Sequence, residues 1–317
     1  MSDQQHGGTD ERAEEVRRSV PGDGASARVS LIGLGRMGTP MAARLLAAGV
    51  AVTGFDLSSE ARGRVGLLGA DTVTTVEDAV RDAETVILML PDSAAVEAVL
   101  RNEQVRVLLR RGATVIDMSS SEPARTRALA AELEAGDVVL IDAPVSGGVK
   151  GATAGTLTIM AGGPDDVVER LTPMLSAMGT VRHAGPVGAG HAVKALNNLL
   201  SATHLLATCE VISAARRFDL DVDCVLDIVN GSSGRSWSSE YKWPSFIRPA
   251  TYDSGFDLRL MLKDVQIAVD LLTLHGDERA LAESALATWS RAARELPEGA
   301  DHTEIARWVE EAEGSAP

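Results

Sequence analysis

A chain of 317 residues, 45% of them hydrophobic, is long enough for two cored domains, and no apolar run reaches the roughly 18 residues of a membrane span. The net charge of −15, with seven acids against one arginine over residues 295–317, argues against a nucleic-acid or anionic-membrane surface and for a soluble, self-repelling protein. Two cysteines, Cys209 and Cys224, stand in helical context without metal-ligand or C-x-x-C spacing, so both are expected as reduced core residues of a cytoplasmic protein.

Residues 1–27 are polar, glycine-containing and unpatterned, without the apolar centre of a secretion signal, and are expected to form a disordered tail. From Arg28 onward short β-type runs alternate with amphipathic segments. Strands are expected over 29–32, 50–55, 85–90, 114–118, 138–141, 156–161 and 181–183, with helices such as 40–48, 94–101 and Pro123–Glu134 between them. Such repetition implies a parallel, doubly wound sheet. Past Gly190 the β signals stop, and long helices are expected over 192–217, 221–229, 259–275 and 278–295. The organisation is therefore an α/β domain over 28–190, an all-helical domain over 191–310, and a tail over 311–317.

Directly after the first strand stands Gly33-Leu34-Gly35-Arg36-Met37-Gly38, opening a helix. Gly33 suits the tight turn, Gly35 the approach of a pyrophosphate to the backbone, and Gly38 the packing of helix on strand. The anion would rest on the helix N-terminus. The second strand ends in Asp56, whose carboxylate suits the adenosine ribose hydroxyls and repels a 2′-phosphate. NAD is favoured, with NADP as the alternative that Arg62 or Arg64 would assist. Leu90-Pro91 and Ser119-Ser120-Ser121 follow later strands and should border the cofactor cleft, with Ser121 read as the cap of the helix that begins at Pro123. In the next such loop, Ser146-Gly147-Gly148, successive backbone N–H groups suit a carboxylate or phosphate. Substituting alanine for Gly147 is expected to weaken substrate binding far more than stability.

Residues 185–198 carry three glycines, Gly185, Gly188 and Gly190, and then open the longest helix. Lys194 and Asn198 lie four apart on it and point the same way among apolar neighbours. A lone lysine there would ordinarily snorkel to water. Yet this chain writes nearly every cation as arginine, and only Lys150, Lys194, Lys242 and Lys263 are lysines. Burial can bring an amine into the working pH range, which it cannot do for a guanidinium.

Together, the 33–42 glycine run, residues 142–148 with Gly155-Thr156-Leu157, residues 185–198, and Lys263-Asp264 resemble the four signatures of the β-hydroxyacid dehydrogenases, in order and over nearly all of 29–309. The run Ser232-Ser233-Gly234-Arg235-Ser236-Trp237-Ser238-Ser239 further resembles the 3-hydroxyisobutyrate dehydrogenase branch. The resemblance implies a doubly wound Rossmann-type domain followed by an all-helical C-terminal domain. It makes Lys194 the catalytic lysine, gives the substrate to Ser146, Gly147, Gly148 and Asn198, brings Lys263 over to the cofactor, and sets Leu90, Pro91 and Ser120 at the nicotinamide half. It also implies pairing of helical domains, hence a homodimer.

There are departures from the family pattern. Ser120 stands for a usual threonine, Ala95 for a frequent asparagine, and Asp219 for a common glycine. No G-x-S-x-G elbow occurs, since Gly231-Ser232-Ser233-Gly234-Arg235 fails at its last position. His183, His191 and His204 lack metal spacing and are expected at the surface or at caps, with His191 lining the cleft mouth. The reading is an NAD-linked oxidoreductase that acts on a small 3-hydroxy acid or its semialdehyde and binds neither nucleic acid nor membrane. The alternatives are a sister reductase (tartronate semialdehyde, sulfolactaldehyde or imine) and a non-catalytic dinucleotide-binding module. Imine-reducing relatives usually lack the lysine, so Lys194 counts against them.

Overall fold

The computed structural model describes residues 28–274, 276 and 279–314. The expected tail 1–27, residues 315–317, and residues 275 and 278 that close and open two expected helices lie outside the described residues. The chain forms two compact units that divide between Lys194 and Ala195.

In the first unit the strands are β1 (Arg28–Ile32), β2 (Ala51–Phe55), β3 (Asp71–Thr72), β4 (Thr85–Leu88), β5 (Thr114–Asp117), β6 (Val139–Asp142), β7 (Val145–Ser146), β8 (Leu157–Gly162) and β9 (Gly179–Gly185). Their order is β3-β2-β1-β4-β5-β6-β8-β7, with β9 paired to β8. The helices are α1 (Gly38–Ala47), α2 (Ser59–Gly66), α3 (Val76–Val80), α4 (Ser93–Leu100), α5 (Glu103–Leu108), α6 (Pro123–Glu134), α7 (Gly148–Ala154) and α8 (Asp165–Leu175). Side chains alternate across each central strand, and both faces are apolar. Leu31, Ile87, Ile116 and Ile141 enter one buried cluster, while Ile32, Leu88, Val115 and Leu140 enter the other. Helices on both sides cover these clusters, as double winding requires.

The sheet is mixed, which corrects the parallel reading. β8 runs antiparallel to β6 and β7. The reversal follows from β7 being two residues long and running into Gly147 and Gly148, whose φ of +125° and +60° turn the chain back. The helices α3, α5 and α7 are too short to show a period, and α8 carries Pro173 inside it, so none was expected.

The helix α9 (Ala189–Arg217) begins three residues before the expected 192. In the second unit follow α10 (Val222–Asn230), a π-helix over Ser238–Ile247 that contains Pro244, α11 (Leu258–Leu272), α12 (Ala280–Glu295), a 3₁₀ turn at His302–Glu304, and α13 (Ile305–Gly314). The π-helix falls where a proline breaks the ordinary helical pattern, so it was not expected either. One cluster around Trp243, Trp289, Val265 and Ile305 fills this unit. Cys209 lies in it, but Cys224 is exposed, so only one of the two cysteines is a core residue. Asp219, after α9, has φ of +58°, the left-handed conformation that aspartate tolerates better than most residues. No helix of the described residues is long and apolar enough to cross a membrane.

Asp301 ties the last part of this unit together. Its carboxylate accepts from Gly255 N at 2.8 Å, Thr303 N at 3.0 Å and Thr303 Oγ1 at 2.6 Å, and Ser254 Oγ donates to it at 2.8 Å. Glu304 completes a capping box by accepting from Asp301 N at 3.2 Å. Burial opposes ionisation of this carboxyl, but the bonds from His302 and Thr303 outweigh it and hold Asp301 below the usual carboxylate range. Below about pH 4 the unfolded chain therefore takes up a proton that the folded one refuses, and this contribution to stability is lost as the pH falls further. Asp301→Ala should lower Tm by several degrees at pH 7 and flatten the fall in Tm between about pH 5 and pH 3. Thermal melts of both proteins across that range would check it, and parallel curves would contradict it.

Candidate functional site

The first group of expected site residues gathers at the carboxyl ends of β1, β2 and β4, where the strand order reverses. Gly33 has φ of +97°, and a Cβ on it would stand 2.2 Å from the Met89 carbonyl oxygen, so the turns after β1 and β4 touch. A Cβ on Gly38 would stand 1.9 Å from the Gly33 oxygen. Both glycines are therefore demanded by the fold. Gly35 is different: nothing lies within 4 Å of where its Cβ would be, and its φ is ordinary. An open space beside bare backbone at the start of α1 fits a pyrophosphate.

Asp56 closes this site from β2. Its Oδ2 accepts from Leu34 N at 2.7 Å and its Oδ1 from Ser58 N at 2.8 Å, so the carboxylate also fixes the glycine-rich turn. Arg62 donates to the Asp56 carbonyl at 2.6 Å, while Arg64 pairs with Glu60 at 2.8 Å. Arg36 is exposed and Met37 half-buried on the same turn.

Beyond β4 and β5, Leu90 N donates to Ser119 Oγ at 3.0 Å, and Ser119 N donates to Asp117 Oδ1 at 2.9 Å. Pro91 is exposed and Ser120 half-buried beside them. Ser121 does not cap α6. Its hydroxyl donates to Asp117 Oδ2 at 2.7 Å, and Glu122 occupies the cap position without a side-chain bond. The buried Asp117 carboxylate takes the hydroxyl, and the helix opens on Pro123, which has no N–H to cap. Ser146 is paired to Thr158 in the β7–β8 ladder, with Gly147 and Gly148 following.

Lys194 is 8% exposed on α9 and ends the first unit. Asp142, at the end of β6, anchors the first turn of this helix by accepting from Gly188 N at 2.6 Å and His191 N at 2.7 Å. Burial raises the pKa of Asp142, and the neighbouring His191 and those two N–H groups oppose the rise. A Cβ on Gly190 would stand 2.1 Å from the Met160 carbonyl oxygen, which explains the third motif glycine. His191 is not at a cleft mouth: it is 1% exposed and bonded within the unit. His183 is bonded to the Gly163 carbonyl, and His204 is exposed.

Asn198 and Lys263 belong to the second unit. Asn198 Nδ2 donates to Asp264 Oδ2 at 2.6 Å, and Lys263 Nζ donates to Asp264 Oδ1 at 2.9 Å. The buried Asp264 thus holds both residues on one carboxylate, a role that spacing in the sequence does not signal. Among the described residues no group of His, Cys, Asp and Glu could hold a metal ion.

Comparison with known proteins agrees with this geometry. Residues 28–197 match the family described as the NAD binding domain of 6-phosphogluconate dehydrogenase, and residues 188–309 match that described as NAD-binding of NADP-dependent 3-hydroxyisobutyrate dehydrogenase. The NAD-dependent L-serine dehydrogenase of Pseudomonas aeruginosa is 35% identical, over 83% of this chain and 91% of that protein. Human mitochondrial 3-hydroxyisobutyrate dehydrogenase is 36% identical, over 77% of this chain and 75% of that protein. Among solved structures, Mycobacterium tuberculosis 3-hydroxyisobutyrate dehydrogenase with L-serine superposes with a TM-score of 0.85 at 30% identity, covering 90% of this chain and 99% of that one.

The different demands on the glycines give a direct test. Gly35→Ala should leave Tm within about 2 °C of wild type and weaken NADH binding by tenfold or more, whereas Gly190→Ala should cost about 3 kcal/mol of stability through overpacking. Melting curves and NADH titration would separate the two. A Gly35→Ala protein with unchanged NADH affinity would remove the cofactor from this turn.

Proposed function

Because this chain belongs to the β-hydroxyacid dehydrogenase family, we propose that it interconverts a small 3-hydroxy acid of the 3-hydroxyisobutyrate type and its semialdehyde, with NAD as partner. The observation that carries the proposal is the amine of Lys194, buried on α9 one turn past the carboxylate-anchored helix start. Relatives named for 3-hydroxyisobutyrate and for L-serine share a substrate carboxylate and a primary 3-hydroxyl and differ at carbon 2. The common part is what this chain's motif residues address.

The cradle at Gly33, Leu34, Gly35, Arg36, Met37 and Gly38, with Asp56 beside it, would hold NAD, which supplies the hydride acceptor when bound. NAD is preferred over NADP because the Asp56 carboxylate repels a 2′-phosphate, and because Arg62 is already turned toward the Asp56 carbonyl. Ser146, Gly147 and Gly148 orient the substrate carboxylate, and Asn198, with its amide fixed by Asp264, is assigned to the same substrate. Lys194 takes the hydroxyl proton on Nζ in oxidation and returns it in reduction. Orientation supplies much of the acceleration.

The expectation that Gly147→Ala spares stability does not survive the geometry. At φ of +125°, with a Cβ 3.3 Å from Leu157 Cδ2, alanine is strained whatever binds. Ser146→Ala is the cleaner probe of this loop.

The protein is further proposed to be a homodimer. Val193, Leu196, Leu200 and Val211 lie exposed along α9 at separations of three, four and eleven residues, which return to one helix face, and exposed Phe218 lies just beyond its end. Cys209 and Cys224 both stand free, which fits the cytoplasm.

Lys194→Arg keeps the charge and loses the titration, so it should fold, bind NADH and lose at least about 1,000-fold in kcat. Steady-state rates on a panel of 3-hydroxy acids with NAD and NADP would test this. Substantial activity in the variant would move the proton to another group, and higher kcat/KM with NADP would reverse the cofactor preference. Val211→Glu should convert the dimer to a monomer in light scattering, and a wild-type monomer would refute the pairing.

A further inference from the structure

His191 stands one helical turn before Lys194, is 1% exposed, and has no part in the chemistry proposed above. Its Nε2 lies 3.1 Å from the Ser119 carbonyl oxygen. A carbonyl only accepts, so this network puts a ring hydrogen on Nε2. Thr126 Oγ1 lies 2.9 Å from Nδ1 and bonds it, and the same hydroxyl donates to the Glu122 carbonyl oxygen at 3.1 Å. The carboxylates of Asp117 and Asp142 flank the ring at 3.8 Å, outside bonding distance, and both accept from other donors: Asp117 from Ser119 and Ser121, Asp142 from Gly188 and the His191 backbone.

Ser119 is therefore held at three points. Its N–H goes to Asp117, its hydroxyl accepts from Leu90 N, and its carbonyl accepts from His191. We propose that His191 is a positioning residue for the dehydrogenase reaction, its imidazole fixing the first turn of the helix that carries Lys194 to the Ser119 carbonyl and so to the loop that presents Leu90 and Ser120. The inference rests on the proposed function, because Leu90 and Ser120 matter only if the nicotinamide lies against them. The site asks for a side chain that donates to the Ser119 carbonyl at one end and bonds the Thr126 hydroxyl at the other, with no freedom to rotate between the two partners. Imidazole does this with a rigid ring. A glutamine amide has both functions, and leucine has neither.

The experiment compares wild type, His191→Gln and His191→Leu by kcat and KM for 3-hydroxy acid oxidation at saturating NAD, by NADH titration, and by Tm. His191→Leu should lose about 10- to 100-fold in kcat, as small misplacements of reacting groups do, while its NADH dissociation constant stays within threefold. His191→Gln should recover kcat to within about threefold of wild type. A His191→Leu protein with kcat within twofold of wild type overturns the proposal. So does a His191→Gln protein that melts like wild type yet is as slow as the leucine variant. Should the leucine variant fail to fold, Thr126→Val, which removes the hydroxyl that bonds Nδ1 and the Glu122 carbonyl oxygen, decides: a severalfold loss of kcat at unchanged NADH affinity and unchanged Tm supports the role, and unchanged kcat overturns it. Wild type inactive on every 3-hydroxy acid sinks the activity itself, whereas an active wild type with an equally active leucine variant sinks only this inference.

Discussion

A single buried carboxylate sets the geometry of the first unit. Asp142 has no solvent exposure, ends β6, and receives the Gly188 and His191 N–H groups of the first turn of α9. An anion at a helix N-terminus is favoured by the unsatisfied N–H groups there and by the helix dipole. Burial works against the charge and prevails, raising the Asp142 pKa, while His191 and those N–H bonds oppose the rise. Space around the carboxylate is scarce: a Cβ on Gly162 would come within 2.6 Å of Asp142 Oδ1, and one on Gly190 within 2.9 Å of Oδ2. The aspartate of one motif and the glycines of two other segments are thus parts of one anchor, and the lysine carried by α9 depends on it.

The cofactor turn obeys a different rule. Gly33 and Gly38 are glycines because neighbouring backbone occupies the space a side chain would need, whereas Gly35 has no such neighbour. A position where the fold tolerates a side chain and the chain still places none is a sign of a ligand that approaches the backbone. Asp56 joins the two functions, since the same carboxylate that suits a ribose also holds the Leu34 and Ser58 N–H groups.

In the second unit, too, buried acids organise the polar groups. Asp264 binds Asn198 and Lys263 together, and Asp301 gathers the residues around Ser254 and Thr303. Each is surrounded by donors rather than left alone in apolar packing, as a buried polar group requires.

The sequence by itself determined the class of the fold and the place of its glycine-rich turn after the first strand. Strand-to-helix alternation, the Gly33 to Gly38 spacing and an acid at residue 56 are local signals, because periodicity and turn chemistry act over a few residues. Lys194 was legible for the same reason, as an amine on an apolar helix in a chain that prefers arginine. Only tertiary structure decided what depends on partners distant in the chain. Ser121 serves Asp117 rather than a helix end, His191 lies buried between Ser119 and Thr126, Cys224 faces solvent, and β8 turns back against β6. Hydrogen-bond partners 65 and 72 residues away from His191 leave no trace in its local spacing, because burial and pairing are properties of the folded neighbourhood and not of the residue.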